Sequence, residues 1–172
     1  YSQHIRERRR RAELALEATN LDALVIDSGN HFTYFADDQD APFHTTPHFA
    51  AWTPLEGPKH KLIVRAGAKP RLLVVKPEDY WYEQLPLGEP FWLGEFDVEV
   101  VTDEETAWSA CNPGPHAAYI GNASAEARAH GFVEVNCQPA SLLARLDWDR
   151  SYKTDYEVAC LEEATRIAAR GH

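Results

Sequence analysis

Asn20-Leu-Asp-Ala-Leu-Val-Ile-Asp-Ser-Gly29 sets four consecutive apolar residues, Ala23 to Ile26, between a turn-forming Asn20–Asp22 and a Ser28–Gly29 stop. A run that short, without alternation, is the pattern of a strand buried on both faces inside an α/β sheet. On its N-terminal side, Ser2 to Ala18 carries Ile5, Ala12 and Leu16, with Leu14 and Ala15, at helical spacing among charged residues. One buried stripe follows, so an opening helix precedes the strand.

Past Gly29 the pattern continues in short pieces. Asp37 to Pro58 holds Pro42, Pro47, Pro54 and Pro58 among aromatic and histidine side chains, which predicts a shaped loop and an edge strand rather than helix. Lys61–Arg65 and Arg71–Lys76 read as a hairpin with a loop of about five residues, Ala66 to Pro70. Phe96 to Val100 alternates strictly and predicts a strand with one wet face. Ala117–Gly121 is a second short buried run, followed by a helix over Asn122–His130 that Gly131 stops, a last strand over Val133–Cys137, and a helix from Pro139 to Leu146. Thr154-Asp-Tyr-Glu157 is a capping box opening a final helix to His172, whose apolar positions Tyr156, Cys160, Ala164, Ile167 and Ala168 require a partner. Together these predict an α/β fold: a three-layer domain with a mixed β-sheet of about six strands flanked by helices.

Composition narrows the function classes. A chain of 172 residues is one domain, with room for the start of a second. Its net charge of −10 argues against nucleic acid as a partner. The cluster Arg6, Arg8, Arg9, Arg10 and Arg11 reads as a solvated helix face paired with Glu7, Glu13 and Glu17. Cys111, Cys137 and Cys160 form neither a C-x-x-C pair nor an even disulfide set, which points to a reducing cytoplasm. No apolar run reaches the ~18–20 residues of a membrane span. Tyr1 in the first position of a chain without Met predicts numbering that begins inside a longer protein.

The signature motifs of nucleophile elbows, phosphate-binding loops, dinucleotide folds and zinc helices are absent. His44-Thr-Thr-Pro-His48 has a helical metal-pair spacing, but Pro47 breaks the helix that would bring both rings to one face. Asp37–Asp38–Gln39–Asp40 puts three carboxylates in four residues, a composition suited to a hard cation, a substrate ammonium or a solvated turn. Asp79-Tyr-Trp-Tyr82 gathers three aromatics, either a satellite cluster under a loop or a recognition surface.

These stretches, in order, carry a resemblance: Asn20 to Gly29, Phe35-Ala-Asp-Asp38 with Pro42–Phe43, Pro47-His-Phe49 with Trp52, Lys69–Pro70, Pro77-Glu-Asp-Tyr-Trp81, Ala118-Tyr-Ile-Gly121, and Tyr152-Lys-Thr-Asp-Tyr-Glu157. The chain resembles the bacterial Xaa-Pro dipeptidases (prolidases), specifically their N-terminal creatinase-type domain. It departs from the family pattern at Asp40–Ala41, Ala50 and Tyr82. The resemblance implies a creatinase-type domain over residues 1–152 and, over 153–172, the first part of a helix leading into a C-terminal pita-bread metallopeptidase domain. It also implies a full-length homodimer that hydrolyses Xaa-Pro dipeptides with two divalent metal ions, commonly manganese, held by five ligands in that second domain. These 172 residues would then be inactive alone, without catalytic residues or metal. Asp38 and Trp81 are similar to residues the family projects toward the neighbouring subunit's pocket, where they gate the substrate. A non-catalytic protein-binding module of the same fold is the alternative, and fold alone does not separate the two.

Overall fold

The Ala23–Ile26 run is an interior strand of a five-stranded mixed sheet in the computed structural model, which describes residues 1–78, 80 and 86–171. The strands are β1 (Ala23–Asp27), β2 (Lys61–Arg65), β3 (Arg71–Val75), β4 (Asp97–Val101) and β5 (Ala117–Ile120), in the order β4-β3-β2-β1-β5. β2 runs antiparallel to β1 and β3, whereas β5 lies parallel to β1 and β4 parallel to β3. The two antiparallel pairings come from the hairpin and from the return of the chain after Gly29. The parallel ones follow crossovers long enough to hold helices.

Strand alternation divides the core into two layers. Leu24, Ile26, Leu62, Val64, Leu72 and Val74 face α1 (Ser2–Ala18), α2 (Pro47–Ala50) and α5 (Ala140–Ser151), where Ile5, Ala12, Leu16, Phe49 and Leu142 meet them. Ala23, Val25, Ile63, Leu73 and Val75 face α3 (Glu104–Cys111) and α4 (Ser124–Ala129), packing on Trp108, Cys111, Tyr119, Ala127 and Phe132. Each fully buried Leu, Ile, Val or Phe side chain among them contributes roughly 1.5–3 kcal/mol. Sandwiched by helices on both faces, β1 is buried along its whole length, as its unbroken apolar run requires.

Four local expectations are corrected. Val133–Cys137 is not a strand: Glu134–Asn136 makes a 3₁₀ turn, and Cys137 touches the sheet through a single parallel bridge to Tyr119. Gln138 at φ 55° and Pro139 then turn the chain into α5, leaving no length for a ladder, while Val133 and Val135 stay exposed. The Pro-rich segment contains a helical turn, α2, with Pro47 in its first position, where a missing N–H costs nothing and φ is already set. In place of an edge strand, the region has the isolated bridge Thr33–Asp40. Leu14 lies off the buried stripe of α1, which runs through Ile5, Arg8, Ala12, Ala15 and Leu16. The helix α3 had no counterpart in the sequence reading.

The capping box does form. In α6 (Asp155–Gly171), the Thr154 N–H donates to Glu157 Oε2 at 2.8 Å, and the Glu157 N–H reaches Thr154 Oγ1 at 3.3 Å. α1 bolts onto this cap: His4 Nδ1 lies 2.8 Å from Thr154 Oγ1, its Nε2–H donates to the Ala51 carbonyl, and Arg8 donates to Glu157 Oε1 at 2.5 Å. Burial, followed by the nearby Arg8 charge, holds the His4 pKa below its usual value, which favours the neutral ring. Thr154→Ala removes one helix cap and one partner of a buried imidazole. It is expected to lower unfolding stability by about 1–2 kcal/mol, measurable as a shift in urea midpoint at constant m. Beyond its cap α6 buries no residue on the rest of the chain, and Val158, Leu161 and Ile167 remain exposed. No described helix is long and apolar enough to cross a membrane.

Candidate functional site

β1 ends in Asp27-Ser28-Gly29, and there the chain leaves the sheet for a long excursion that returns at Thr46. The stem is closed by four hydrogen bonds. Thr46 N–H donates to the Ser28 carbonyl at 2.9 Å, the Thr46 hydroxyl donates to the Asp27 carbonyl, Lys59 N–H donates to the Gly29 carbonyl, and the Ser28 hydroxyl donates to the Gly57 carbonyl. Gly29 sits at φ 109°, with the Thr46 methyl 3.3 Å from where a Cβ would stand, so a side chain there meets both backbone strain and a neighbour.

Above the stem the chain folds into a narrow finger. Ala41 N–H donates to the Phe32 carbonyl and Tyr34 N–H to the Gln39 carbonyl, with Thr33 and Asp40 bridged between them. The tip turns at Ala36, φ 58°. Every residue from His31 to Asp40 is exposed, Phe35 by 98% and Phe32 by 67%. Such a row of aromatics is costly to leave in water.

The three acids of the finger divide by role. Asp37 Oδ1 accepts from the N–H groups of Asp38 and Gln39, an Asx turn that shapes the tip. Asp40 accepts the Thr33 hydroxyl at 2.6 Å and lies 3.8 Å from His31 Nδ1. Asp38 alone has a carboxylate without a partner among the described residues, and its backbone is held by its neighbour. A free carboxylate on a held backbone suits a ligand cation, since charge-assisted hydrogen bonds are the strong ones.

Trp81, paired with Asp38 in the sequence reading, lies outside the described residues. His44 and His48 are not brought together as a metal site. His44 precedes α2 and is exposed, whereas His48 lies within α2 with its Nε2 3.3 Å from Asp147 on α5. Among the described residues there is no group of three or more His, Cys, Asp or Glu side chains able to hold a metal ion, so these residues do not fit a two-metal centre. The arginine cluster of α1 is largely spent internally. Arg10 and Arg11 bind Glu7, Arg9 lies near Glu13, and Arg8 is buried against Glu157.

Sequence reasoning missed the group under the stem. Asp27 Oδ2 accepts from Lys61 Nζ at 2.6 Å with both side chains fully buried. The Tyr119 hydroxyl approaches the same oxygen at 3.3 Å, and Gly29 N–H donates to Oδ1 at 2.6 Å. Lys61 also lies 4.1 Å from the Trp108 ring centre and 3.8 Å from Glu104 on α3. Burial pushes the Cys111 thiol up to about 12, keeping it protonated and inert beside this cluster. The available signal was an acid ending one buried strand and a lysine opening the next, which an antiparallel register places opposite each other.

Comparison with known proteins agrees with this architecture. Residues 1–148 match the family model described as Xaa-Pro dipeptidase, N-terminal domain. The Xaa-Pro dipeptidases of Yersinia pestis (strain Pestoides F) and Yersinia pseudotuberculosis serotype O:1b (strain IP 31758) are each 39% identical over 174 residues, covering 100% of this chain. The chain spans 39% of the length of these curated relatives. With the sandwiched mixed sheet and a match over most of its residues, the chain belongs to the Xaa-Pro dipeptidase family, as its N-terminal domain.

Proposed function

We propose that this chain is the gating and dimer-forming part of a longer, metal-dependent Xaa-Pro dipeptidase. In this reading residues 1–152 are the N-terminal domain and 153–172 lead into a catalytic domain that holds two divalent ions, manganese by preference. The apolar side of α6 supports this, since Val158, Leu161 and Ile167 remain exposed among the described residues. The free thiols of Cys111, Cys137 and Cys160 support a cytoplasmic setting.

The single observation that carries the gating role is the unspent Asp38 carboxylate on a finger whose other two acids are consumed in shaping it. Presented to the partner subunit's pocket in a homodimer, it pairs with the free α-ammonium of a dipeptide. A peptide extended at its N-terminus has an amide in the equivalent place and leaves the carboxylate unmatched, so selection for a free N-terminus follows from charge. The exposed Phe32, Tyr34 and Phe35 supply the apolar contact that seats the finger. In this reading the metal ligands belong to the catalytic domain, and hydrolysis by 1–172 alone is not expected.

Asp38→Ala in the full-length enzyme removes one charged contact worth roughly 1.5–3 kcal/mol, and is expected to raise KM for an Xaa-Pro dipeptide about tenfold or more with a smaller change in kcat. Unchanged KM removes Asp38 from the site.

A further inference from the structure

We infer that the buried Asp27–Lys61 pair is a positioning device for the finger, holding the exit of the chain from β1 so that Asp38 is delivered in one place. The inference rests on the gating role proposed above and extends it to residues remote from the finger's tip.

Asp27 is the last residue of β1, and its carboxylate divides its two oxygens between core and loop. Oδ2 takes Lys61 and Tyr119 from the core; Oδ1 takes the Gly29 N–H, the first amide beyond the Ser28 turn. The main-chain carbonyl of the same residue accepts the hydroxyl of Thr46, where the excursion returns. Both ends of the finger are therefore tied to one aspartate, whose rotamer is fixed by a lysine with no exposed surface.

Lys61 is itself held from several sides: by the Trp108 ring at 4.1 Å, by Glu104 at 3.8 Å, and by its register opposite Asp27 in the β1–β2 ladder. A buried ion pair is poor evidence for stability, because desolvation offsets attraction and an apolar pair often serves as well. Its distinguishing property is directional. It fixes the orientation of the carboxylate that the loop amide needs, and a pair of leucines offers that amide no acceptor. Replacing Lys61 leaves Oδ2 of Asp27 with only the longer Tyr119 contact at 3.3 Å, and the Gly29 amide has a less firmly held partner at the point where the finger departs.

The test is made in the full-length protein, with Lys61→Met, Lys61→Gln and Asp38→Ala compared by dipeptide kinetics and amide hydrogen exchange. Lys61→Met is expected to speed exchange at Gly29 and Thr46 at least tenfold while the Leu24, Val25 and Leu72 amides keep their protection. It should also raise KM at least fivefold with kcat within twofold of the parent. Lys61→Gln, which keeps an N–H for Asp27, is expected to recover part of both effects, and it carries the measurement if the Met variant does not fold. Parental loop exchange and KM in a Lys61 variant with lowered thermal stability would show a purely structural pair and overturn the inference. If Asp38→Ala leaves KM unchanged while the Lys61 variants loosen the stem, the gating role fails and the positioning of the loop stands.

Discussion

Acidification from pH 7 to pH 4 is expected to cost this domain about 3 kcal/mol of unfolding free energy through His60 alone. The ring sits between β2 and the turn before it, 5% exposed. Val75 N–H donates to Nδ1 at 3.0 Å, so that nitrogen carries no proton, and the Nε2–H is left to donate to the Glu56 carbonyl at 3.2 Å. Charging the ring would require breaking the Val75 bond. Burial pushes the pKa down to about 4, helped by the Lys61 and Lys76 charges and opposed by the Glu56 carbonyl and Asp27.

An unfolded histidine titrates near 6.5, so between there and about 4 the unfolded chain binds a proton that the folded chain refuses. The stabilisation is complete above pH 6.5 and is lost as pH falls toward 4. His4 and His48 are shifted the same way, each first by burial, and steepen the loss. Urea denaturation at steps from pH 7 to pH 4 measures it. His60→Gln keeps an acceptor and a donor in place without a titrating group, and should reduce the slope by about one proton, roughly 1.4 kcal/mol per pH unit. A variant that keeps the parental slope would place the sensitivity elsewhere.

That histidine is hidden in the sequence by a general difficulty. Ala23–Ile26 announces β1 because an unbroken apolar run needs cover on both sides, and Thr154 to Glu157 announces α6 because the box closes over four adjacent residues. Both are local signals. α3 is short, and its inward set of Ala107, Trp108 and Cys111 is too small to establish a period, although Asp103 does cap it by accepting from Thr106. Val133 and Val135 favour a strand by type, yet Gln138 in a left-handed conformation turns the chain before a ladder can grow.

At the candidate site the acid run was visible, but which of its members is free depends on pairings made only when the finger closes, Asp40 with Thr33 and Asp37 with two amides. Lys61 and His60 look like ordinary polar residues at a strand entrance. Their burial is set by the register of β1 on β2 and by a helix more than forty positions away.

Gly121→Ala is expected to destabilise the fold by about 3 kcal/mol, at the upper end of what one added methyl usually costs in a packed core. Gly121 follows β5, and a Cβ there would stand 2.5 Å from Asp27 Cβ and 2.9 Å from Tyr119 Cζ, with the Tyr119 hydroxyl also inside contact. Neither neighbour can yield cheaply. Asp27 Cβ is fixed by its own strand and by the Lys61 bond, and the Tyr119 ring is held between Trp108 at 5.6 Å and Phe132 at 5.8 Å while its oxygen accepts the Ala123 N–H. The methyl must therefore displace the aspartate that anchors the finger, and stability and loop order should fall together. Gly94→Ala is the control, because nothing lies within 4 Å of its added Cβ, and it should stay within about 0.5 kcal/mol of the parent. Equal urea midpoints for the two variants would mean that β5 can shift outward and that the contact at Asp27 is looser than its geometry requires.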